Sequence, residues 1–192
     1  MLHRYGLRDL VGMIDWPNGT RCELILSVYS NLFTGTPGSI HNHQNWLGGY
    51  WDHITEVMNY AVVLYNADPR PMPFTLSSAL LVLFLHDIEK PWKYESGTSG
   101  EVKVKEILNN EFKSHAFRDE FIKEYGITLT PEEENALKYV HGEGNDYSSE
   151  KRVMGPLAAF CHICDVWVAR IRFDCPMKKD DSWSGAERLV AR

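Results

Sequence analysis

The run ALLVLFL, from Ala79 to Leu85, is seven consecutive apolar residues that end directly on His86 and Asp87. It falls far short of the roughly 20 residues that cross a bilayer, so the chain itself has to bury it. Thr75 and Ser77 stand before it as candidate N-caps. The stretch TLSSALLVLFLHDIEKPWKY therefore predicts a helix in the middle of a core, apolar on every side. Its end carries an imidazole and a carboxylate into or beside that core. An ionised carboxylate taken out of water is costly unless it is paired or ligates a metal. The fold has to bring partners to Asp87.

The rest of the chain supplies helices to surround this one. Leu7, Leu10, Val11 and Ile14 recur at helical spacing, and a second helical stretch from Thr20 to about Phe33 follows the turn signal WPNG. Residues 1–35 read as an N-terminal helical hairpin. The segment TGTPGSIHNHQNWLGG is a loop carrying His41, His43 and Trp46. From Tyr50 a stripe of Ile54, Val57, Met58, Ala61 and Leu64 runs to Asp68-Pro69, with His53 in its first turns. A weaker helix is expected from Val102 to about Phe112, and another through His115, Phe121 and Ile122. Thr130, Pro131 and Glu133 form a capping box that starts a helix running to His141 and stopping at Gly142. PLAAFCHICDVWVARIRF is a further strong helix, and residues 176–192 are a polar, peripheral tail.

No segment has the period of a strand, and no internal repeat is present. At 192 residues the chain suits one core. The expectation is an all-α fold, a compact helical bundle forming one domain over residues 1–192, with residues 36–175 as its central part.

Composition narrows the function classes. Apolar and charged fractions of 44% and 24% are those of ordinary globular proteins. The N-terminus places Arg4, Arg8, Asp9 and Asp15 among its apolar residues, unlike a secretory signal, so a cytoplasmic, non-membrane protein is expected. Cys22, Cys161, Cys164 and Cys175 have no spacing that demands disulfides. A net charge of -6 works against gripping a long nucleic acid. A small anionic substrate held by metal fits better.

Three further helices deliver groups comparable with His86 and Asp87. His53 precedes His86 on a helix whose neighbouring positions are apolar. Asp165 shares a face with Cys161, Val168 and Ala169, with Arg172 two turns further along; Arg170 points about a third of a turn or more away. His115 and His141 lie between. Imidazole and carboxylate gathered at one point are ligands for Zn, Mn, Fe or Mg. Lys90 lies one helical turn beyond His86 on the same face.

The order His53, His86-Asp87, His115, His141, Asp165 resembles the H…HD…H…H…D signature of the HD-domain metal-dependent phosphohydrolases. HQNWLGGYWDHITEVMNYA is similar to the HHAYxGGLLEHTLEVA type of segment, particularly in the branch with bacterial 3'-5' exoribonucleases. LLVLFLHDIEKPW resembles LLHDIGKP, with Glu89 where Gly is usual. YVHGEG followed by PLAAFCHICDVWVAR resembles the HHG segment and the late helix bearing the last aspartate, with one His in place of two. The similarity spans about Thr36 to Arg170.

The resemblance implies an HD-type bundle and a divalent cofactor, one or two ions of Mn, Fe, Zn, Co, Ni or Mg. It makes His53, His86, Asp87 and Asp165 ligands of a primary metal. His115 and His141 complete a second metal site or contact phosphate. Asp87 or a neighbouring His orients or deprotonates the attacking water. Lys90 acts catalytically and binds phosphate, and Arg172 helps neutralise its charge. His43 could face the site entrance.

The blander readings are structural. His41 and His43 suit solvated loop positions, Trp46, Trp51 and Trp92 suit core packing, and the CHIC cysteines suit a helix interior. Three functions fit the pattern. The first is hydrolysis of phosphoester bonds in a nucleotide or similar small phosphorylated substrate. The second is 3'-5' exonuclease or phosphodiesterase action on short oligonucleotides. The third is an HD-type di-iron oxygenase or a non-catalytic nucleotide sensor. Homo-oligomerisation is left open by the sequence.

Overall fold

The computed structural model describes residues 4–39, 42–96, 102–104 and 115–175. Its helices are α1 (Leu7–Val11), α2 (Asn18–Thr34), α3 (Gly49–Ala67), α4 (Leu76–Leu85), α5 (Lys90–Lys93), α6 (Ala116–Glu124), α7 (Pro131–Tyr139) and α8 (Pro156–Ile171). The expected all-α bundle is what the chain forms. One detail departs from it: Val102–Val104, expected as the start of a helix, is a short strand β2 paired antiparallel with β1 (Tyr94–Ser96), Tyr94 opposite Val104. Val and Lys alternate in VKV, a pattern that suits a pleated ribbon as readily as a helix turn. The remainder of that expected helix, His41 and the polar tail lie outside the described residues.

α4 is the axis of the fold. Every residue from Ala79 to Leu85 is buried, and α1, α2, α3, α7 and α8 all pack against it. Burying one large aliphatic side chain stabilises by about 1.5–3 kcal/mol, so this run anchors the bundle. Thr75 is its N-cap, accepting a hydrogen bond from the Ser78 amide at 3.0 Å. Ser77 does not cap the helix; its hydroxyl accepts from the Asp15 amide at 2.8 Å and ties the α1–α2 link to the core.

The helix does not continue through Tyr94. It ends at Leu85, and residues 86–89 form a tight turn before α5. Pro91 contributes to the break, because it has no N–H to give the Asp87 carbonyl. That carbonyl accepts instead from Lys90 at 2.9 Å, and the Leu85 carbonyl from Ile88 at 3.2 Å, both three residues back. α7 carries the expected capping box. The Glu133 amide donates to Thr130 Oγ1 at 3.3 Å and the Thr130 amide to Glu133 Oε2 at 2.8 Å. No helix of the described residues is long and apolar enough to cross a membrane.

Candidate metal centre

The glycine pair at the start of α3 sets the geometry of the loop that leads into it. Gly48 has φ of 83°, a left-handed conformation that favours glycine. At Gly49 a Cβ would lie 1.8 Å from the Gln44 carbonyl oxygen, so only glycine lets the loop fold back this closely. The loop is pinned by Gln44, which is fully buried. Its amide donates to the Phe173 carbonyl at 2.7 Å, and its Nε2 donates to the carbonyls of Arg172 (2.8 Å) and Cys175 (3.2 Å). Gln44 Oε1 is left to accept from His43 Nδ1 at 3.0 Å. His43 is thereby brought against the ring of His53, centroids 4.3 Å apart and planes tilted by 42°. Burial, reinforced by His53 and Lys90, pushes the His43 imidazole down to about 3, so it is neutral.

Behind it, five of the expected residues meet. His53 comes from α3, His86 and Asp87 from the end of α4, His141 from the turn after α7, and Asp165 from α8. His53 Nε2 lies 3.3 Å from Asp165 Oδ1 and 3.5 Å from Asp87 Oδ2. His86 Nε2 lies 3.2 Å from Asp87 Oδ2 and 3.6 Å from Asp165 Oδ1. His141 Nε2 is 3.7 Å from Asp87 Oδ1 and 3.9 Å from Asp165 Oδ2. Two sets, His53-His86-Asp165 and His86-Asp87-His141, each gather their ligand atoms within 4.8 Å.

These spacings fit an ion. Ligands about 2.1 Å from a metal stand roughly 3.0 Å apart at a right angle and 3.4 Å at the tetrahedral angle. Moreover, His53 Nε2 and His86 Nε2 are buried and lack hydrogen-bond partners, a cost that a metal relieves. The tautomer of His86 is also right for ligation: Nδ1 donates to the Leu83 carbonyl at 2.7 Å, leaving Nε2 to the site.

The electrostatics point the same way. Burial alone lowers the His86 imidazole, but Asp87 and Asp165 overturn this and push it up to about 10. Burial opposes ionisation of Asp87, yet Lys90 and His86 hold its carboxyl well below the usual range. Asp165 is likewise held low against burial, by His53 and His86. Without metal, a proton therefore supplies the positive charge that two buried carboxylates require. His141 is lowered, chiefly by burial, and stays neutral.

The turn before Pro91 brings Lys90 Nζ to Asp87 Oδ2, 2.5 Å away. His115 stands apart from the ligand sets: it begins α6 with φ of 57°, and its Nδ1 is 3.0 Å from Oε1 of buried Glu89. Its ring faces that of His141, centroids 6.3 Å apart.

Arg172 departs furthest from expectation. α8 ends at Ile171, and Arg172, with φ of -110°, turns into a separate groove with Arg4, Glu56, Tyr60 and Trp167. Arg170, expected from its helix angle to point away, lines the cavity of about 250 Å³ beside Asp165, together with Asn42, His43, His141 and His162. A side chain this long reaches round the helix surface, so its Cα angle is a poor guide to its tip. Sequence reasoning also passed over His162, though its position three residues before Asp165 places it on the same face.

The aromatic and cysteine residues take their structural readings. Trp46 is buried and its Nε1 donates to Asp52 Oδ2 at 2.8 Å; Trp51 and Trp92 pack on the core. Cys161 and Cys164 are fully buried, and burial raises both thiols. No family model, curated protein or solved structure matches the chain.

Proposed function

We propose that this chain is a divalent-metal-dependent phosphohydrolase of the HD-domain type, acting in the cytoplasm on a nucleotide or a similar small phosphorylated compound. The observation that carries this reading is the meeting of His53, His86, Asp87, His141 and Asp165, with unpartnered buried Nε2 atoms on His53 and His86. These five would hold the ion, and their mixture of nitrogen and oxygen suits Mn, Fe, Co, Ni, Zn or Mg. A divalent ion there supplies Lewis acidity toward a phosphoryl oxygen and lowers the pKa of water.

The chain's own groups do the remaining work. Asp87, kept ionised by Lys90 and His86, accepts a hydrogen bond from the attacking water and orients it. Lys90 offers its ammonium to the phosphoryl oxygens as charge develops on them. Neutral His43, with Nδ1 committed to Gln44, presents Nε2 as an acceptor for a substrate hydroxyl. Arg170 gives the cavity mouth a positive charge, and the small volume favours a compact anion over a polymer.

The test is a screen of purified protein with Mn, Mg, Co, Ni, Zn and Fe against mono-, tri- and cyclic nucleotides and a generic phosphodiester. Metal-dependent product release is expected, with loss in His86→Ala and Asp87→Ala. No turnover of any phosphoester with any metal would refute the reading.

A further inference from the structure

One ionisable residue of the cavity wall, His162, has no part in the chemistry above. Along α8 that wall is lined by His162, Asp165, Val166, Ala169 and Arg170. At 1.5 Å of rise per residue, His162 stands about 4.5 Å before Asp165 along the helix, and Arg170 about 7.5 Å beyond it. His162 and Arg170 thus flank the carboxylate on opposite sides.

The orientation of His162 is fixed. Its Nδ1 lies 2.7 Å from the Val140 carbonyl oxygen, an acceptor only, so Nδ1 carries a hydrogen and donates it. Nε2 is the nitrogen left for other partners. Gly142, with φ of 102°, runs alongside the ring, where a Cβ would stand 3.5 Å from Cε1 and 3.8 Å from Nε2. The imidazole is therefore oriented by the Val140 carbonyl, in a half-buried position with space rather than a side chain beside it at Gly142.

We propose that His162 protonates the leaving oxygen of the substrate, an inference that rests on the phosphohydrolase reading. Water forms the new bond to phosphorus, and the bond from phosphorus to the leaving oxygen breaks with its electron pair going to that oxygen. The oxygen takes the Nε2 proton of the His162 imidazolium, whose Nδ1–H stays on the Val140 carbonyl. The proton lost by the water passes to solvent, and solvent reprotonates His162.

The test compares two esters with Mn2+: a nucleoside 5'-monophosphate, whose alkoxide leaves poorly without a proton, and p-nitrophenyl phosphate, whose phenolate leaves unaided. His162→Ala and His162→Gln should each lose about 100-fold in kcat/KM on the nucleotide and under about threefold on the nitrophenyl ester. Bound metal should be unchanged. Equal losses on both esters, no loss on either, or loss of metal in both variants would overturn the assignment. Failure of the wild-type protein to hydrolyse any phosphoester of the nucleotide and phosphodiester screen with any metal would instead remove the phosphohydrolase reading itself, and this role with it.

Discussion

A metal ion entering the cluster must displace a proton, and this makes its affinity steeply pH-dependent. In the metal-free protein the His86 imidazole is pushed up to about 10, Asp87 and Asp165 outweighing the effect of burial. Its Nε2 is the nitrogen that faces both carboxylates. Each pH unit below that value therefore weakens binding about tenfold, or ~1.4 kcal/mol. From pH 6 to pH 8 the gain is about 100-fold. With metal at 100 times its Kd at pH 8, folding is stabilised by about 2.7 kcal/mol, and at the same concentration at pH 6 by only ~0.4 kcal/mol. For a chain of this size each kcal/mol moves Tm by about 2–4 °C, giving an upward shift of roughly 5–10 °C at pH 8 and about 1 °C at pH 6.

The metal-free baseline moves the opposite way. A raised imidazole contributes its stability in full below the unfolded value of 6.5 and loses it as pH climbs through about 10. The apoprotein should weaken toward alkaline pH while the metal-bound form gains. Thermal unfolding with Mn2+ or EDTA across this range reads both curves. Equal metal shifts at pH 6 and pH 8, or a shift retained in His86→Ala, would refute the reasoning.

Four other outcomes are expected. His115→Ala should keep its bound metal, measured by elemental analysis of dialysed protein, because Glu89 holds that ring outside the ligand sets; loss of metal would return His115 to the ligands. Gly49→Ala should destabilise by about 2–4 kcal/mol in urea unfolding, since the added carbon meets a backbone oxygen at 1.8 Å, and a change under about 0.5 kcal/mol would contradict the close approach. Thr130→Ala should cost about 1 kcal/mol through loss of the α7 cap, and a neutral result would deny that cap its role. In native protein, Cys22, Cys161 and Cys164 should resist a thiol reagent that reaches half-buried Cys175; rapid labelling of the three buried thiols would show that they are accessible.

Much of the fold is legible because local physics and tertiary structure agree. The apolar run before His86 could only be a central helix, and Thr130, Pro131 and Glu133 announce their helix start on their own. Where a signal is weak the reading slips. VKV is too short to separate strand from helix, and the helix expected to run on past His86 ends at Leu85.

The ligands divide along the same line. His53, His86, Asp87 and Asp165 stand in the sequence on stripes that must turn inward, and the order of these residues along the chain is what brought them to notice. Which histidine joins them, and which arginine faces the cavity, could not be read there. His141 and His115 differ in position, His141 lying near Asp87 and His115 on Glu89. Arg172 leaves the face of Asp165 because α8 ends at Ile171, and Arg170 lines the cavity because its long side chain is not confined to its Cα direction. The sequence by itself determined the helices, the buried axis and the inward-facing imidazole and carboxylate groups, all consequences of apolar periodicity and of the cost of burying charge. Only the tertiary structure decided how the side chains converge, because a ligand set or a cavity wall depends on where helices stop and how their neighbours hold each ring.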